Sequence, residues 1–221
     1  MSCKPADTRV CDDGIWRDLR VEAGGLRDRP VLFLDRDGVI VEEVTYLHRP
    51  GDVRLIDGVV GLITRASQAG AGVVVVTNQS GVGRGLYGWS DLAAVEDEIA
   101  RQLGDDKAAV QAVFACPFHA DARPPFDSAD HPARKPNPGM LLMTADLLGA
   151  DLARSWIIGD RATDLMAASR AGLAGGLLLG EGYDEGEAER ALSLAGDQFQ
   201  ARRIERLDEA DEHIAWLGAS A

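Results

Sequence analysis

Val31-Leu32-Phe33-Leu34-Asp35-Arg36-Asp37-Gly38 joins an unbroken apolar run to two carboxylates and a glycine. A continuous apolar run that ends in a turn signal is the pattern of a strand buried on both faces of a sheet. The carboxylates then stand at its carboxyl end, where glycine lets the chain turn sharply. One carboxylate there can attack phosphorus and split hydrolysis into two easier steps. A second can protonate the leaving oxygen and later activate water. Asp35 suits the first task and Asp37 the second. Taken alone, Asp-x-Asp-Gly also fits a capped turn. A calcium loop fits less well, because Val39-Ile40-Val41 supply none of its further oxygen ligands.

Runs of the same kind recur on the carboxyl side: Val73 to Val76 before Thr77, Ala112-Val113-Phe114, Trp156-Ile157-Ile158 before Gly159-Asp160, and Leu177-Leu178-Leu179. Helical stretches at about 57–69, 90–103, 138–149 and 162–171 lie between them. This alternation predicts an α/β fold, a parallel sheet joined by right-handed crossovers with helices on both faces. Ligands bind beyond the carboxyl ends of such strands, which brings Asp35, Thr77 and Asp160 to one edge. The segment 116–136, with its prolines and histidines, reads as a long loop. The tail offers a strand near 199–204 and a closing helix near 207–217. Residues 1–29 show no sustained period, although Ile15, Trp16 and Leu19 can pack onto a neighbouring surface. They read as an N-terminal arm ahead of one domain, 30–221.

Three further segments complete the chemistry at that edge. Thr77-Asn78-Gln79-Ser80-Gly81 offers hydroxyl, amide and backbone donors for phosphate oxygens, and Arg84 adds a cation. Arg134-Lys135-Pro136 supplies two cations in an acidic chain: Lys135 to neutralise a phosphoryl group in transfer, Arg134 to engage another substrate oxygen. In isolation the first is also an ordinary turn and the second a solvated pair. In Gly159-Asp160-Arg161-Ala162-Thr163-Asp164, Asp160 can join Asp35 and the backbone carbonyl of Asp37 around Mg²⁺. Asp164, at a helix start, reads as an orienting residue rather than a direct ligand.

Composition narrows the partners. The 23 Lys+Arg against 36 Asp+Glu leave a formal charge of -13, which opposes association with nucleic acid or an anionic membrane surface. No apolar run approaches the roughly 18 residues of a membrane span, and no signal-peptide pattern opens the chain. Cys3, Cys11 and Cys116 form no disulfide framework. Reduced thiols, a cytoplasmic location and a monomer are the default expectations, with a small phosphorylated metabolite as partner.

Taken together and in this order, Asp35-x-Asp37-Gly38, Thr77-Asn78, Lys135-Pro136 and Gly159-Asp160-x-x-x-Asp164 resemble the haloacid dehalogenase-like hydrolase superfamily. The longer segments Phe33 to Ile40, Thr77 to Gly85 and Arg134 to Met140 resemble its D,D-heptose 1,7-bisphosphate phosphatase and histidinol-phosphatase branch. The resemblance covers about residues 31–180. It implies a Rossmann-like sheet without a large cap domain, with Asp35 as nucleophile and Mg²⁺ ligand, Asp37 as acid/base and backbone ligand, and Asp160 as the remaining carboxylate ligand. Thr77 and Lys135 would stabilise the transferred phosphoryl group. Glu43, Val44, Thr45, Tyr46, Asn78, Gln79, Ser80 and Arg134 fall where relatives contact the rest of the substrate. Arg84 and Arg134 could hold a second anionic group, so D-glycero-D-manno-heptose 1,7-bisphosphate, losing its C7 phosphate, is the leading substrate. Histidinol phosphate is the alternative. From another class, a phosphoacceptor signalling protein or a phosphate binder without turnover also places acids at a sheet edge.

Many relatives of this branch hold a structural zinc through a Cys-x-His pair and a later Cys-x-Cys pair. The matching positions here read Cys116-Pro117-Phe118 and His131-Pro132-Ala133, so no tetrahedral zinc is expected. Cys116, His119 and His131 leave an irregular site open.

Overall fold

The apolar runs become strands of a seven-stranded sheet in the computed structural model, which describes residues 9–104, 109–182, 184 and 186–218. The strands are β1 (Trp16–Leu19), β2 (Val31–Leu34), β3 (Gly72–Asn78), β4 (Ala112–Cys116), β5 (Trp156–Gly159), β6 (Gly175–Leu179) and β7 (Gln200–Ile204). They lie in the order β1-β4-β3-β2-β5-β6-β7, parallel throughout except for the antiparallel pair of β1 with β4. The helices are α1 (Val59–Gln68), α2 (Ser80–Arg84), α3 (Trp89–Leu103), α4 (Gly139–Leu148), α5 (Ala162–Ala171), α6 (Glu187–Leu192) and α7 (Ala215–Gly218). No helix among the described residues is long and apolar enough to cross a membrane.

Successive strand residues alternate between two cores, as a period of two requires. Leu32, Leu34, Val73 and Val75 pack with Leu62 and Ile63 of α1 and Leu92 and Ile99 of α3. Phe33, Val74, Val76 and Phe114 pack on the other face with Met140 and Leu141 of α4 and Leu165 of α5. Both faces are therefore covered, which is why the strands read as continuous apolar runs. Each such side chain contributes about 1.5–3 kcal/mol by leaving water.

From β2 the chain builds outward through β3 to β4 and then crosses to β5 on the other side of β2. The connections leave β2 and β5 in opposite directions, which opens a crevice above their carboxyl ends. Asp35 and Asp160 stand at that crevice.

Two segments differ from the sequence reading. Within the stretch read as an arm, Trp16–Leu19 is an edge strand that covers the outer side of β4. Ile15 and Trp16 are fully buried, one in each core. Four residues that include Arg17 and Asp18 are too few to show a period, so only the tertiary pairing reveals the strand. Residues 1–8, including Cys3, lie outside the described residues, whereas Cys11 and Cys116 are both buried and Cys116 is a free thiol. At the other end, the helix expected over 207–217 divides into a 3-10 turn, Leu207–Glu212, and α7. Leu207, Ala210, Ile214 and Leu217 are all buried at helical spacing, but the chain breaks at His213 between two of these anchors.

Candidate active site

β2 delivers Asp35 to the sheet edge, where its N–H donates to the Ile158 carbonyl at 3.0 Å. Asp35 Oδ1 accepts the Arg36 N–H at 2.7 Å, and Oδ2 lies 2.9 Å from Lys135 Nζ. Burial pushes the Asp35 carboxyl well above the usual carboxylate range. The Lys135 ammonium pulls it back, while Asp164, Asp160 and Asp37 push it further up.

Asp37 faces the cavity but is held from behind. The Arg36 guanidinium, itself 1% exposed, forks onto it, with Nε 3.1 Å and Nη2 2.9 Å from Oδ1, and Nη2 3.0 Å from Oδ2. Gln79 Nε2 adds a 2.8 Å bond to Oδ2. Burial works against the Arg36 charge, yet Asp37 and Glu96 keep it above its ordinary range. Gly38 has φ +79°, and a Cβ there would run into the Asp160 carboxylate, so both backbone angle and space demand glycine.

β3 supplies the next group. Thr77 is 1% exposed and its Oγ1 accepts from Gln79 Nε2 at 2.8 Å. The Asn78 side chain clamps the main chain of Lys135: Nδ2 donates to its carbonyl at 3.0 Å, and Oδ1 accepts its N–H at 3.1 Å. Lys135 is fixed in turn by three oxygens, Val76 O at 2.8 Å, Asp35 Oδ2 at 2.9 Å and Asp164 Oδ1 at 2.6 Å. An ammonium has three donors, and three oxygens surround this one. Burial opposes the charge of Lys135, but Asp164 and Asp35 outweigh it and hold its pKa above the ordinary range. This lysine is therefore a buried cation and not half of a solvated basic pair.

Asp164 is fully buried in the first turn of α5. Its Oδ2 accepts the Arg161 N–H at 3.1 Å, while Oδ1 pairs with Lys135, so both oxygens face protein groups. Asp160 differs. Its Oδ1, like Asp164 Oδ1, is buried without a hydrogen-bond partner, but it has no ammonium against it, and Arg161 Nε stands 4.0 Å away. Burial first and Asp164 second push the Asp160 carboxyl up to about 7, against Arg161. Oxygens of Asp35, Asp160 and Asp164 lie within 4.8 Å of one another. Three crowded acids around one ammonium, with an orphan oxygen among them, fit a hard divalent cation, whose preferred ligands are carboxylate and carbonyl oxygens.

Above these groups opens a cavity of about 560 Å³. Glu43, Val44, Thr45 and Tyr46 line it from the loop after β2. Asn78, Gln79, Ser80 and Arg84 line it from the end of β3 and α2, and Arg134 from the loop before α4. Arg84 Nη1 donates to the Tyr46 hydroxyl at 2.6 Å, and its guanidinium sits 5.9 Å from the centre of that ring. Tyr46 has φ +57°, uncommon for a bulky side chain and consistent with a position set by its surroundings. Arg134 Nη1 donates to the Phe118 carbonyl at 2.8 Å. Burial lowers the Arg134 pKa.

The cavity also contains groups that the sequence reading did not single out. Arg36 stood inside the decisive motif but had the look of a spacer. Tyr87, whose hydroxyl donates to Gln79 Oε1 at 2.5 Å, is an isolated aromatic in the sequence. Glu187 and Arg190 come from α6, which carries no motif and reaches the site only through tertiary packing. The loop beyond β4 is filled by aromatic rings. Phe118 stacks on His131 at 3.6 Å and meets Phe126 edge-on at 5.4 Å, and Phe126 meets Trp89 at 6.1 Å. His131 Nδ1 accepts the Ala133 N–H at 3.1 Å and His119 Nδ1 the Asp121 N–H at 3.0 Å. Burial raises the Cys116 thiol to about 11.

Comparison with known proteins identifies the family. The HAD-hydrolase-like family model, where HAD stands for haloacid dehalogenase, matches residues 132–206. D-glycero-beta-D-manno-heptose-1,7-bisphosphate 7-phosphatase of Mesorhizobium japonicum is 45% identical over 150 residues, which cover 68% of this chain and 69% of the relative. A solved structure from Mesorhizobium loti, described as an HAD-like phosphatase, superposes with a TM-score of 0.83 at 35% identity, covering 96% of this chain and 97% of that one. D,D-heptose 1,7-bisphosphate phosphatase of B. bronchiseptica, solved with magnesium and phosphate, gives 0.68 at 33% identity, with 84% and 98% covered. On motif, fold and relatives alike, this chain is a phosphatase that belongs to the heptose-bisphosphate phosphatase branch of the haloacid dehalogenase-like hydrolases.

Proposed function

We propose that this chain hydrolyses the C7 phosphate of D-glycero-D-manno-heptose 1,7-bisphosphate through an aspartyl-phosphate on Asp35, with Mg²⁺ as cofactor. The observation that carries the reading is the contact of Asp35 with the buried ammonium of Lys135 in a cavity that also holds Arg84 and Arg134. The first pair suits a reacting phosphoryl group and the two arginines a second anion, so a bisphosphate has two anchors. The names of the relatives support the same substrate.

In this mechanism Asp35 attacks phosphorus, a carboxylate oxygen–phosphorus bond forms, and the bond from phosphorus to the sugar oxygen breaks. Asp37 gives its proton to that oxygen. Water then attacks the phosphoenzyme, Asp37 takes the proton back, and the Asp35–phosphorus bond breaks to release inorganic phosphate. Lys135, with Thr77, stabilises charge on the transferred group. Mg²⁺, held by Asp35, Asp160 and the backbone carbonyl of Asp37, would supply further charge neutralisation. Asp164 orients Lys135 and serves as a supporting group. Residues 30–221 would carry this chemistry, and β1 (Trp16–Leu19), ahead of them, closes the edge of the sheet beside β4. The buried free thiol of Cys116 accords with a cytoplasmic location.

The test is kcat/KM over a panel of sugar bisphosphates, matching monophosphates and histidinol phosphate, each with Mg²⁺ and with chelator. Arg134→Ala is expected to lower kcat/KM for the bisphosphate about tenfold more than for the matching monophosphate, the scale of one charge-assisted hydrogen bond. Equal loss on both, or a clear preference for histidinol phosphate, rejects the two-anchor reading.

The same reading leaves the loop beyond β4 without a tetrahedral zinc. Phe118 and Ala133 have no side-chain ligand atom, and the packed rings of Phe118, His131 and Phe126 hold the loop instead. Elemental analysis of the purified chain should find well below one zinc per chain. One tightly held zinc would overturn this expectation.

A further inference from the structure

We infer that Glu96, on α3 and remote in sequence from every catalytic motif, is a positioning residue that acts through Arg36 to hold the Asp37 carboxyl group in its orientation for proton transfer. The inference rests on the reading of Asp37 as acid/base. Glu96 is 2% exposed on a helix face whose neighbours Leu92, Val95 and Ile99 are apolar core. Its Oε1 lies 3.3 Å from Arg36 Nη1. Arg36 thus meets carboxylates on both sides: Nε and Nη2 face Asp37, and Nη1 faces Glu96.

A guanidinium is planar, so carboxylates at opposite ends fix its plane as well as its place. With Nη1 released, the plane can turn about the side-chain torsions, and the fork that sets Asp37 turns with it. Gln79 alone would then hold Oδ2, through one bond of 2.8 Å. A purely structural role would ask Glu96 only to balance a buried cation, yet Asp37 already lies against that cation. Burial pushes the Glu96 carboxyl upward against the pull of Arg36, so an acid in this apolar setting carries a cost. That cost is what a positioning role explains.

General acid catalysis matters most when the leaving group is a poor one. The readout is therefore the ratio of kcat/KM for a sugar phosphate, whose alkoxide needs a proton, to kcat/KM for p-nitrophenyl phosphate, whose phenolate leaves without one. This quantity reports steps up to formation of the phosphoenzyme and excludes its hydrolysis. Glu96→Leu, which keeps the volume and removes the acceptor, should lower the ratio about tenfold or more, because misplacement of about 1 Å can remove up to 100-fold in rate. Glu96→Gln retains an acceptor for Nη1 and should restore most of the ratio. If Glu96→Leu fails to fold, Glu96→Asp, one methylene short, should still lower the ratio several-fold. An equal fall on both substrates in every folded variant overturns the inference.

Asp37→Asn is the reference that separates the two claims. If it lowers the ratio and the Glu96 variants do not, the positioning role fails while the acid/base reading stands. If Asp37→Asn leaves the ratio unchanged, both fail together.

Discussion

Asp35→Asn is expected to lower kcat by about 10⁴-fold or more, the scale on which loss of a covalent nucleophile is felt. The amide nearly matches the carboxylate in shape but carries no anionic oxygen to attack phosphorus. The fold should survive. Asp35 lies in a site where burial disfavours its charge, so a neutral group relieves that cost. Against this, Oδ1 and Oδ2 now accept from the Arg36 N–H and from Lys135, and an amide can satisfy only one of them. The two effects oppose each other and Tm should move by only a few degrees. Intact mass spectrometry after mixing with substrate should show no phosphate adduct on the variant. Near-wild-type kcat from a preparation whose mass confirms asparagine would reject the covalent mechanism.

The parts of this molecule that were legible in the sequence are those in which one buried run meets one polar end. Val31 to Leu34 before Asp35, and Val73 to Val76 before Thr77, announce both a strand buried on two faces and a functional edge. β1 was hidden because Trp16–Leu19 belongs to the sheet only through its pairing with β4, and pairing leaves no mark on four residues. The site divides in the same way. Asp35, Asp37, Lys135 and Asp160 lie at strand or helix ends where local pattern singles them out. Glu96 lies in the middle of α3 among core residues and was invisible for that reason, since nothing short of the fold brings it against Arg36. Asn78 was read as a substrate contact. In the fold its amide spends both ends on the main chain of Lys135, which makes it a support for that lysine as well as part of the cavity wall.

Lys135→Met should harm both stability and turnover, and the two losses have separable causes. Methionine keeps the length and apolar character of the stem but removes the ammonium that touches Asp35 and Asp164. Of the three acids, whose oxygens lie within 4.8 Å of one another, Asp35 and Asp164 then lose their ammonium contact, and Asp160 keeps only Arg161 at 4.0 Å. Removing one partner of a buried ion pair typically costs about 3–5 kcal/mol. For a chain of this length that corresponds to a fall in Tm of roughly 10 °C. A divalent cation that binds the acids of the folded chain should recover part of the loss, because any ligand that prefers the folded state stabilises it by mass action. Turnover should not recover with it. The ammonium lies where charge on the transferred phosphoryl group must be met, and loss of one such group costs about 10²–10³-fold in rate. Thermal melts with Mg²⁺ and with chelator, run beside kcat measurements at saturating Mg²⁺, distinguish the two effects. If Lys135→Met melts like the wild type in chelator, the ammonium does not balance these carboxylates. If its kcat is undiminished, Lys135 has no part in meeting the charge of the phosphoryl group.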